Sequence, residues 1–436
     1  MALLLCGGLL LTSLTGCGGT KTKKPGSVAG YDEGEEYISM WVHTIKETDE
    51  GAAYAAAVDA FNEHYNGAYF LDVEFVPRND SGGGYSDKVN AAVMSGGLPD
   101  VLTVDGPNVS AYANNHIIQP LAELSQAERD EYLPSIVDQG TIDGELYALG
   151  AMESSVALYY NKDILDAAGV QVPDSEHPWT RTQFDDVLAQ VRAVLPEDQY
   201  CIDMPFPVGE STIYYYAPFI WANGGDFVSG DGLTVDGVLN SDENVATLEY
   251  INSLITRDYV SKTPIDNLFE TGRAAFLFDG AWEVNSVYTS YPDLDLGIAP
   301  YPVGDDWDGG RYTPTGSWAY AASADAGDID AATEVVKWMS GTDSSVILSE
   351  KIKSMPSTYA AYDQLPMFQD DENYAYLQEQ LINYGHPRPK TPVYPQVSTQ
   401  FQQAIESVVL NGQSAKETLD KSVERIDAKL ERYVRE

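Results

Sequence analysis

Apolar residues along this chain switch repeatedly between the two-residue period of a β-strand and the 3.6-residue period of an α-helix. The segment FLDVEFV, residues 70–76, alternates apolar with acidic residues, which predicts a strand with one wetter face. Before it, residues 54–65 carry an aromatic or aliphatic side chain at every third or fourth position, which predicts an amphipathic helix. Segments 85–93 and 101–104 continue the same order of helix and strand. Repeated βαβ units imply parallel neighbouring strands, so the chain is predicted to adopt an α/β fold.

Three later segments carry the apolar stripe of a helix and extend this pattern to the end of the chain. One of them follows Ser241 and Asp242, either of which suits the N-cap position of a helix. The stripes are Phe184, Val187, Leu188 and Val191; Val245, Leu248, Ile251 and Ile255; and Leu419, Val423, Ile426 and Leu430.

Length and charge limit the organisation and the partners of the chain. With 436 residues it is long for a single domain, and two lobes are expected. It has 67 acidic and 25 basic residues, a net charge of −42, spread over the sequence. Such a field repels phosphate backbones, so nucleic acid is not expected as a partner.

The first residues are predicted to be a targeting signal and not part of the folded domain. Residues 3–14 are apolar and uncharged, a run long enough for the core of a signal peptide and too short to span a bilayer. The tetrapeptide Leu14-Thr15-Gly16-Cys17 resembles a bacterial lipobox, which implies removal of residues 1–16 and diacylation of Cys17. Residues 17–36 are rich in glycine and charged residues and predict a flexible tether. We therefore expect a lipid-anchored protein on the extracellular face of the cell membrane of a Gram-positive bacterium.

Cysteine and histidine are too scarce for a disulfide or a transition-metal site. Removal of Cys6 with the signal and lipidation of Cys17 would leave Cys201 as the one remaining thiol. The chain has five histidines and neither a CxxC nor an HExxH motif. The glycine run SGGGYSD, residues 81–87, lacks the GK[ST] continuation of a phosphate-binding loop. Neither a metal nor a cofactor is expected.

Five stretches together resemble the landmarks of extracellular solute-binding proteins, and more narrowly those of the carbohydrate-uptake group related to maltose-binding protein. They are SGGLPDVLTVDGPNVSAYANNHIIQPL, DGELYALGAMESSVALYYNKDILDAAGVQVP, FLFDGAWEVN, GIAPYPVGDDWDGGRYTPTGSWAYAAS and RPKTPVYPQVSTQFQQAIESVVLNGQSAKETL, in the family's order. Members of this group are the receptors of ABC importers. The resemblance implies an α/β, two-lobed periplasmic-binding-protein-like fold of type II. Each lobe would be a mixed sheet flanked by helices, with the solute held between the lobes.

The same resemblance implies how the chain is divided between the lobes. Crossings of the chain would form a hinge near residues 147–153, near residues 297–302 and after Met339. The implied segments are 37–148 and 301–340 for lobe 1, and 149–300 and 341–436 for lobe 2. Loops that follow the strands are the expected place of the ligand.

The stretch IYYYAPFIW, residues 213–221, places three tyrosines in a row. A sugar ring has an apolar face and a rim of hydroxyls, so its site needs flat apolar surfaces and groups that both donate and accept hydrogen bonds. Tyrosine offers both. In an extended stretch Tyr214 and Tyr216 would share one face, about 6.6 Å apart at about 3.3 Å per residue, with Tyr215 on the other. The resemblance implies ligand contact at this loop, and packing in the core is the alternative.

Four more residues become candidates for ligand contact through the resemblance. Trp282, in the GAW that follows the strand FLFD, matches the family position of an indole that lies against the bound sugar. Trp318 either contacts the ligand or begins a strand, and Tyr394 falls in another stacking region of the family. Arg388 either holds a ligand hydroxyl or bridges two carboxylates inside a lobe.

Polar candidates follow the predicted strands and crossings. Carboxylates suit sugars because each oxygen accepts hydrogen bonds from neighbouring hydroxyls, and charged acceptors form the stronger bonds. For each candidate a solvated loop is the alternative. The candidates are His43, Thr44, Glu47, Asp105, Asn108, Glu153, Ser154, Asn223 and Asp279.

The sequence therefore predicts a substrate-binding lipoprotein of an ABC transporter. It would capture an oligosaccharide by closing two lobes over it and deliver the sugar to the membrane permease. It is expected to be a monomer and not an enzyme. The alternatives are a secreted glycoside hydrolase, which would use a pair of carboxylates, and a non-catalytic carbohydrate-binding surface protein.

Overall fold

The computed structural model describes residues 30–32, 34–78, 84–207, 209–306, 310 and 312–434. The predicted signal peptide, the predicted lipidation site Cys17 and most of the predicted tether lie outside the described residues. No helix in the described ranges has the length and apolar character that crossing a bilayer requires.

Strands and helices alternate along most of the chain. The strands are β1 (Glu36–Val42), β2 (Tyr69–Phe75), β3 (Val101–Asp105), β4 (Thr141–Ile142), β5 (Glu145–Leu146), β6 (Ala148–Gly150), β7 (Val156–Asn161), β8 (Tyr200–Asp203), β9 (Ala274–Gly280), β10 (Leu296–Ala299), β11 (Thr313–Thr315), β12 (Trp318–Ala322) and β13 (Gly385–Pro387). The helices are α1 (Asp49–His64), α2 (Tyr85–Ser95), α3 (Val109–Asn114), α4 (Gln126–Arg129), α5 (Pro134–Gly140), α6 (Lys162–Ala168), α7 (Arg181–Val194), α8 (Ser211–Trp221), α9 (Asp242–Thr256), α10 (Glu283–Ser290), α11 (Ile329–Ser340), α12 (Thr342–Ile352), α13 (Tyr359–Gln364), α14 (Met367–Asp370), α15 (Glu372–Tyr384), α16 (Tyr394–Ile405) and α17 (Ala415–Val434). A 3₁₀ turn, Gly106–Asn108, follows β3, and a π-helical turn, Glu406–Leu410, follows α16.

The first sheet has five strands in the order β2-β1-β3-β12-β6. β1 runs parallel to β2 and β3, as the βαβ pattern predicted, and the register places Met40 opposite Val73 and Val101. β12 runs antiparallel to β3 and β6. The sheet is mixed because β12 enters it from the second half of the chain, without a crossover helix from β3.

The second sheet has four strands in the order β10-β7-β9-β8. β8 runs parallel to β9, whereas β7 runs antiparallel to β9 and β10. The predicted stripes of α7 and α17 are buried in the core on this side of the molecule. The predicted cap of α9 is also confirmed, since Ser241 Oγ accepts a hydrogen bond from the backbone N–H of Asn244 at 3.3 Å.

The extended conformation predicted for residues 213–221 is wrong, because this segment lies in α8. Every residue of α8 except Ser211 and Tyr215 is buried, so the helix is apolar around its circumference and shows no stripe. At about 100° per residue, Tyr214 and Tyr216 point to nearly opposite sides of a helix and do not share a face.

The chain passes between the two sheets in three places. It leaves the first sheet after β6, returns between β10 and β12, and passes again between α12 and α15, which contacts β10. The short strands β11 and β13 pair in parallel between the two sheets.

Helix α12 packs against α1, beside the first sheet, although the predicted boundary assigned all residues after 340 to the second lobe. The buried residues of α12 are Ser344, Ser345, Leu348 and Ser349. Their small side chains allow a close approach to the alanine-rich buried face of α1.

Candidate ligand-binding cleft

The ends of strands from both sheets converge on one cleft of about 490 Å³. β1 ends just before His43, β3 ends at Asp105, and β9 ends two residues before Trp282. The crossing after β6 adds Ser154, and the start of β12 adds Trp318. The lining residues are His43, Thr44, Ile45, Thr48, Glu50, Pro77, Arg78, Asp105, Ser154, Glu210, Ser211, Tyr214, Trp282, Ser317, Trp318 and Arg388. The cleft therefore follows the rule that ligands of α/β sheets bind where strands end.

Arg388 joins the two sides of the cleft. Only 3% of its side chain is exposed, and it donates to Glu210 through Nη1 and to Asp105 through Nη2, the latter at 3.2 Å. It also donates to the carbonyl oxygens of Thr315 and Gly316. The structure shows a bridge between two carboxylates, but it joins the two sides of the cleft and does not lie inside one lobe as predicted. These carboxylates lie on opposite sides, since Asp105 ends β3 and Glu210 immediately precedes α8.

His43, Glu50, Arg78 and Trp318 form what we call the first wall, on the side of the first sheet. The rings of His43 and Trp318 are parallel to within 6°, with 3.3 Å between their centres. His43 Nε2 lies 3.1 Å from Glu50 Oε1. Arg78 Nη1 donates to both oxygens of that carboxylate, at 3.3 and 3.2 Å, and its guanidinium carbon lies 5.5 Å from the ring centre of Trp318.

Burial decides the protonation of His43 in the first wall, and pairing decides that of Glu50. It lowers the pKa of His43 to about 4, so this ring is neutral at pH 7. A neutral ring that donates to Glu50 from Nε2 accepts at Nδ1, which lies 3.0 Å from the hydroxyl of Thr103. Burial alone would raise the pKa of Glu50, but its contacts with His43 and Arg78 outweigh burial and lower the pKa to about 2. Glu50 is therefore ionised at neutral pH.

Trp282 and Tyr214 form the second wall, on the side of the second sheet. The Trp282 side chain is 47% exposed, and its ring centre lies 5.9 Å from that of Tyr214, with 19° between the planes. Gly280 makes room for this position of the indole, because a Cβ there would lie 2.3 Å from the Trp282 ring. Tyr214 is held in turn by the guanidinium of Arg388, 5.2 Å from its ring centre.

Three carboxyl groups in or behind the cleft have pKa values near neutral. Burial and the charge of Glu210 raise the pKa of Asp105 to about 7, although Arg388 opposes this rise. Burial raises the pKa of Asp279 to about 7, and burial together with the charge of Asp279 raises that of Glu283 to about 8. Within the described ranges, no group of three or more His, Cys, Asp or Glu side chains is placed to hold a metal ion.

Residues 45–345, more than half of the chain, match the family described as bacterial extracellular solute-binding protein. The chain belongs to this family. Among relatives, it is 21% identical over 435 residues to the galactooligosaccharide-binding protein of Bacillus subtilis, which covers 97% of this chain and 94% of the relative. It is 22% identical over 363 residues to a maltooligosaccharide ABC transporter solute-binding lipoprotein of Streptococcus pneumoniae, covering 80% and 78%.

Solved structures establish the fold of this solute-binding protein. The sugar-binding protein MalE from Xanthomonas citri is 19% identical, with a TM-score of 0.76 over 91% of this chain and 98% of that chain. UgpB from Mycobacterium tuberculosis, solved with glycerophosphocholine, is 20% identical, with a TM-score of 0.75 over 91% and 99%. The predicted periplasmic-binding-protein-like fold of type II, with mixed sheets flanked by helices, is confirmed.

The predicted site residues of this solute-binding protein divide into two groups. Those that line the cleft are His43, Thr44, Asp105, Ser154, Tyr214, Trp282, Trp318 and Arg388. Those that do not line it are Glu47, Asn108, Glu153, Asn223, Asp279, Tyr216 and Tyr394. Ligand contact stays a prediction for every one of them.

Most members of the second group have structural contacts of their own. Glu153 Oε1 accepts from the N–H groups of Gly316 and Ser154, at 2.7 and 2.9 Å. The hydroxyl of Tyr216 donates to the carbonyl of Pro205 at 2.9 Å, on the core side of α8.

Four other members of this group lie outside the cleft lining, and one of them supports a lining residue. Asn223 donates to Thr247 Oγ1 at 2.7 Å and lines a separate pocket of about 680 Å³. Glu47 is exposed, and Asn108 ends the 3₁₀ turn after β3. The hydroxyl of Tyr394 donates to Glu210, so Tyr394 supports a lining residue from behind.

Sequence reasoning missed Glu50, Arg78 and Glu210. Arg78 stands three residues beyond β2, so the rule that named the loops after β1 and β3 would have found it. Glu50 lies in the first turn of α1, where an acidic residue is ordinary helix chemistry. Glu210 lies three residues before the stretch 213–221 and carries no local signal of its partner Arg388.

Proposed function

We propose that this protein captures an oligosaccharide in the cleft and delivers it to the permease of an ABC importer. The observation that carries the proposal is the contrast between the two walls. A half-exposed indole, Trp282, lines the same cleft as the hydrogen-bonding charged groups Glu50 and Arg78. A sugar needs this combination, since its ring has an apolar face and a polar rim.

The named ligands of relatives support a sugar over other solutes. Galactooligosaccharide and maltooligosaccharide are the ligands in the names of two relatives, and glycerophosphocholine is the ligand in one similar structure. The exposed indole of Trp282 suits a sugar ring, which stacks on it, and equally a choline ammonium, so the preference for a sugar rests on the ligands named for the two relatives.

The mechanism that we propose is closure of two lobes about the chain crossings. Lobe 1 would contain residues 37–148 and 301–340, together with α12, which packs on α1. Lobe 2 would contain residues 149–300 and the chain from α15 onward. A sugar that touches both walls binds the closed state more tightly and shifts the population toward it.

We further propose that Cys17 is diacylated and that the protein acts as a monomer at the outer face of the cell membrane. The resemblance of residues 14–17 to a lipobox supports the anchor, as does the word lipoprotein in the name of the pneumococcal relative.

Glycoside hydrolysis is the competing function, and one observation favours it. The pKa of Asp105, about 7, is near the value that a general acid needs at neutral pH. We propose binding without hydrolysis, because one oxygen of Asp105 and one of Glu210 are held by the same guanidinium, that of Arg388, so both carboxyls are committed to a structural ion pair. Reducing ends that accumulate when purified protein is incubated with a bound oligosaccharide would establish hydrolysis instead.

The test of the proposed function is Trp282→Ala, measured by isothermal titration calorimetry against oligosaccharides that the natural protein binds. Loss of the stacking surface should weaken binding by at least about 2 kcal/mol. The melting temperature should change little, since the indole is half exposed. Tyr359→Ala is the matched control, because Tyr359 is 43% exposed and lies outside the cleft lining. Equal affinity in the two variants would contradict the proposed site.

A further inference from the structure

The charged residues that line the cleft are paired with one another. Glu50 accepts from Arg78, while Glu210 and Asp105 both accept from Arg388. Arg388 is enclosed, whereas 41% of the Arg78 side chain and 23% of the Glu50 side chain are exposed. The Glu50–Arg78 pair is therefore the ion pair with the greater access to an incoming ligand.

A chain of buried groups holds this pair in position. The carboxylate of Glu50 accepts from His43, whose other ring nitrogen lies 3.0 Å from the hydroxyl of Thr103. Thr103 is fully buried and stays within 3.2 Å of the hydroxyl of Tyr85. Side-chain hydrogen bonds from Arg78 to the described part of the chain use Nη1 alone. Both charges are thus preorganised, and in its hydrogen bonds with the described residues the guanidinium uses one of its three nitrogens.

The two walls offer a sugar two kinds of contact in one cleft. A ring whose apolar face rests on Trp282 carries its hydroxyls around its edge, where they are open to the polar groups Glu50 and Arg78 that line the same cleft. There one hydroxyl can donate to Glu50 while its neighbour accepts from Arg78, so adjacent hydroxyls satisfy both charges without separating them. We infer that Glu50 and Arg78 read the hydroxyl edge of the bound sugar, and that their pairing makes the cleft selective for uncharged sugars over sugar acids and amino sugars.

The selectivity follows from the cost of an unpaired charge. An anionic sugar that takes Arg78 must displace Glu50, in a protein whose net charge is −42. A cationic sugar that takes Glu50 must displace Arg78. Either exchange leaves a partly buried charge without its partner, whereas a neutral sugar leaves the pair intact. This inference rests on the proposed function, because it specifies which sugars that function serves.

The test is calorimetric titration of the natural protein, Glu50→Gln and Arg78→Gln with five ligands. Maltotriose, galactotriose and arabinotriose are the neutral probes, trigalacturonic acid is anionic, and the glucosamine trimer is cationic. Arg257→Gln is the matched control, since Arg257 pairs with Asp185 at 2.8 Å, is 34% exposed and lies outside the cleft lining.

We expect the natural protein to bind at least one neutral probe and to bind both charged probes at least tenfold more weakly. Each cleft variant should lose at least tenfold in affinity for the neutral probe, while the Arg257 control keeps it. Glu50→Gln frees the guanidinium and should raise the ratio of anionic to neutral affinity at least tenfold. Arg78→Gln frees the carboxylate and should raise the ratio of cationic to neutral affinity in the same way.

Three results would overturn the inference, and they are distinguishable. Equal affinity of the natural protein for charged and neutral probes would remove the selectivity and leave sugar binding in place. Unchanged affinities and unchanged ratios of charged to neutral affinity in both cleft variants would contradict only the role of the Glu50–Arg78 pair. Absence of binding to all five ligands would remove the proposed function and this inference with it. Because Arg78 is exposed, Arg78→Gln should fold and decides the matter even if Glu50→Gln does not fold.

Discussion

Replacing Arg388 with methionine preserves much of the side-chain length and removes the charge that Glu210 and Asp105 share. With 3% of the side chain exposed, the value for surface ion pairs, about 0–1 kcal/mol, does not apply. Removing one partner of a buried pair costs about 3–5 kcal/mol, because the other charge is left without compensation. We expect Arg388→Met to lower the free energy of unfolding by about 3 kcal/mol at pH 7. This value is at the lower end of the range, since Asp105 has a pKa of about 7 and is already protonated in part.

The same variant should depend on pH in a defined direction. The pKa of Asp105 in the folded protein, about 7, lies above its ordinary value, and loss of the guanidinium raises it further. Between the unfolded and folded values the folded state binds more protons, so its stability falls as pH rises. The difference in the free energy of unfolding between the natural protein and Arg388→Met should therefore be smaller at pH 5 than at pH 8.

Urea unfolding followed by tryptophan fluorescence, at pH 5 and pH 8, measures both quantities. Arg257→Met is the control and should lose less than about 1 kcal/mol, because its pair with Asp185 is one-third exposed. Adding Asp105→Asn and Glu210→Gln to Arg388→Met should recover most of the loss, since no charge is then left unpaired. A deficit no larger than that of the control, or one that shrinks as pH rises, would refute the reasoning.

Three further predictions concern pH, closure and anchoring. The natural protein should be more stable at pH 5 than at pH 8, because the pKa values of Asp279 and Glu283, about 7 and 8, lie above their unfolded values. The melting temperature of the Asp279→Asn, Glu283→Gln double variant should change less between pH 5 and pH 8 than that of the natural protein. An equal change in both proteins would contradict the role of these two carboxyl groups. A saturating oligosaccharide should reduce the radius of gyration in solution scattering and raise stability by about 2.7 kcal/mol at a hundredfold excess over Kd. Tight binding with unchanged scattering would exclude closure. Cys17→Ser should move the protein from the membrane fraction to the medium, and retention in the membrane fraction would exclude the lipid anchor.

Much of the fold follows from local pattern in the sequence. The stripe of Phe184, Val187, Leu188 and Val191 predicts a buried helix face correctly, because one face of that helix meets the core and the other meets water. Alternation over residues 70–76 predicts β2 for the same reason. The landmarks quoted from the sequence lead to the correct family and fold. Trp282 is predicted from the resemblance of its GAW motif to the family, and the structure places it in the cleft lining.

Local sequence pattern does not predict an element that is packed against neighbours on all sides. Helix α8 has no apolar stripe to find, because neighbours bury nearly its whole circumference. The packing of α12 on α1 also has no hydrophobic signal in the sequence, because the buried face of α12 consists mostly of serine.

The charge pairing of the cleft is decided by the tertiary structure alone. Arg388 lies 283 residues from Asp105 and 178 from Glu210, and the sequence permits any of its many carboxylates as partners. The sequence by itself determined which elements form and which loops follow the strands. Only the packing of two sheets decided which of those loops meet. Hydrophobic period is a property of neighbouring residues, whereas a buried ion pair exists only where separate elements exclude water together.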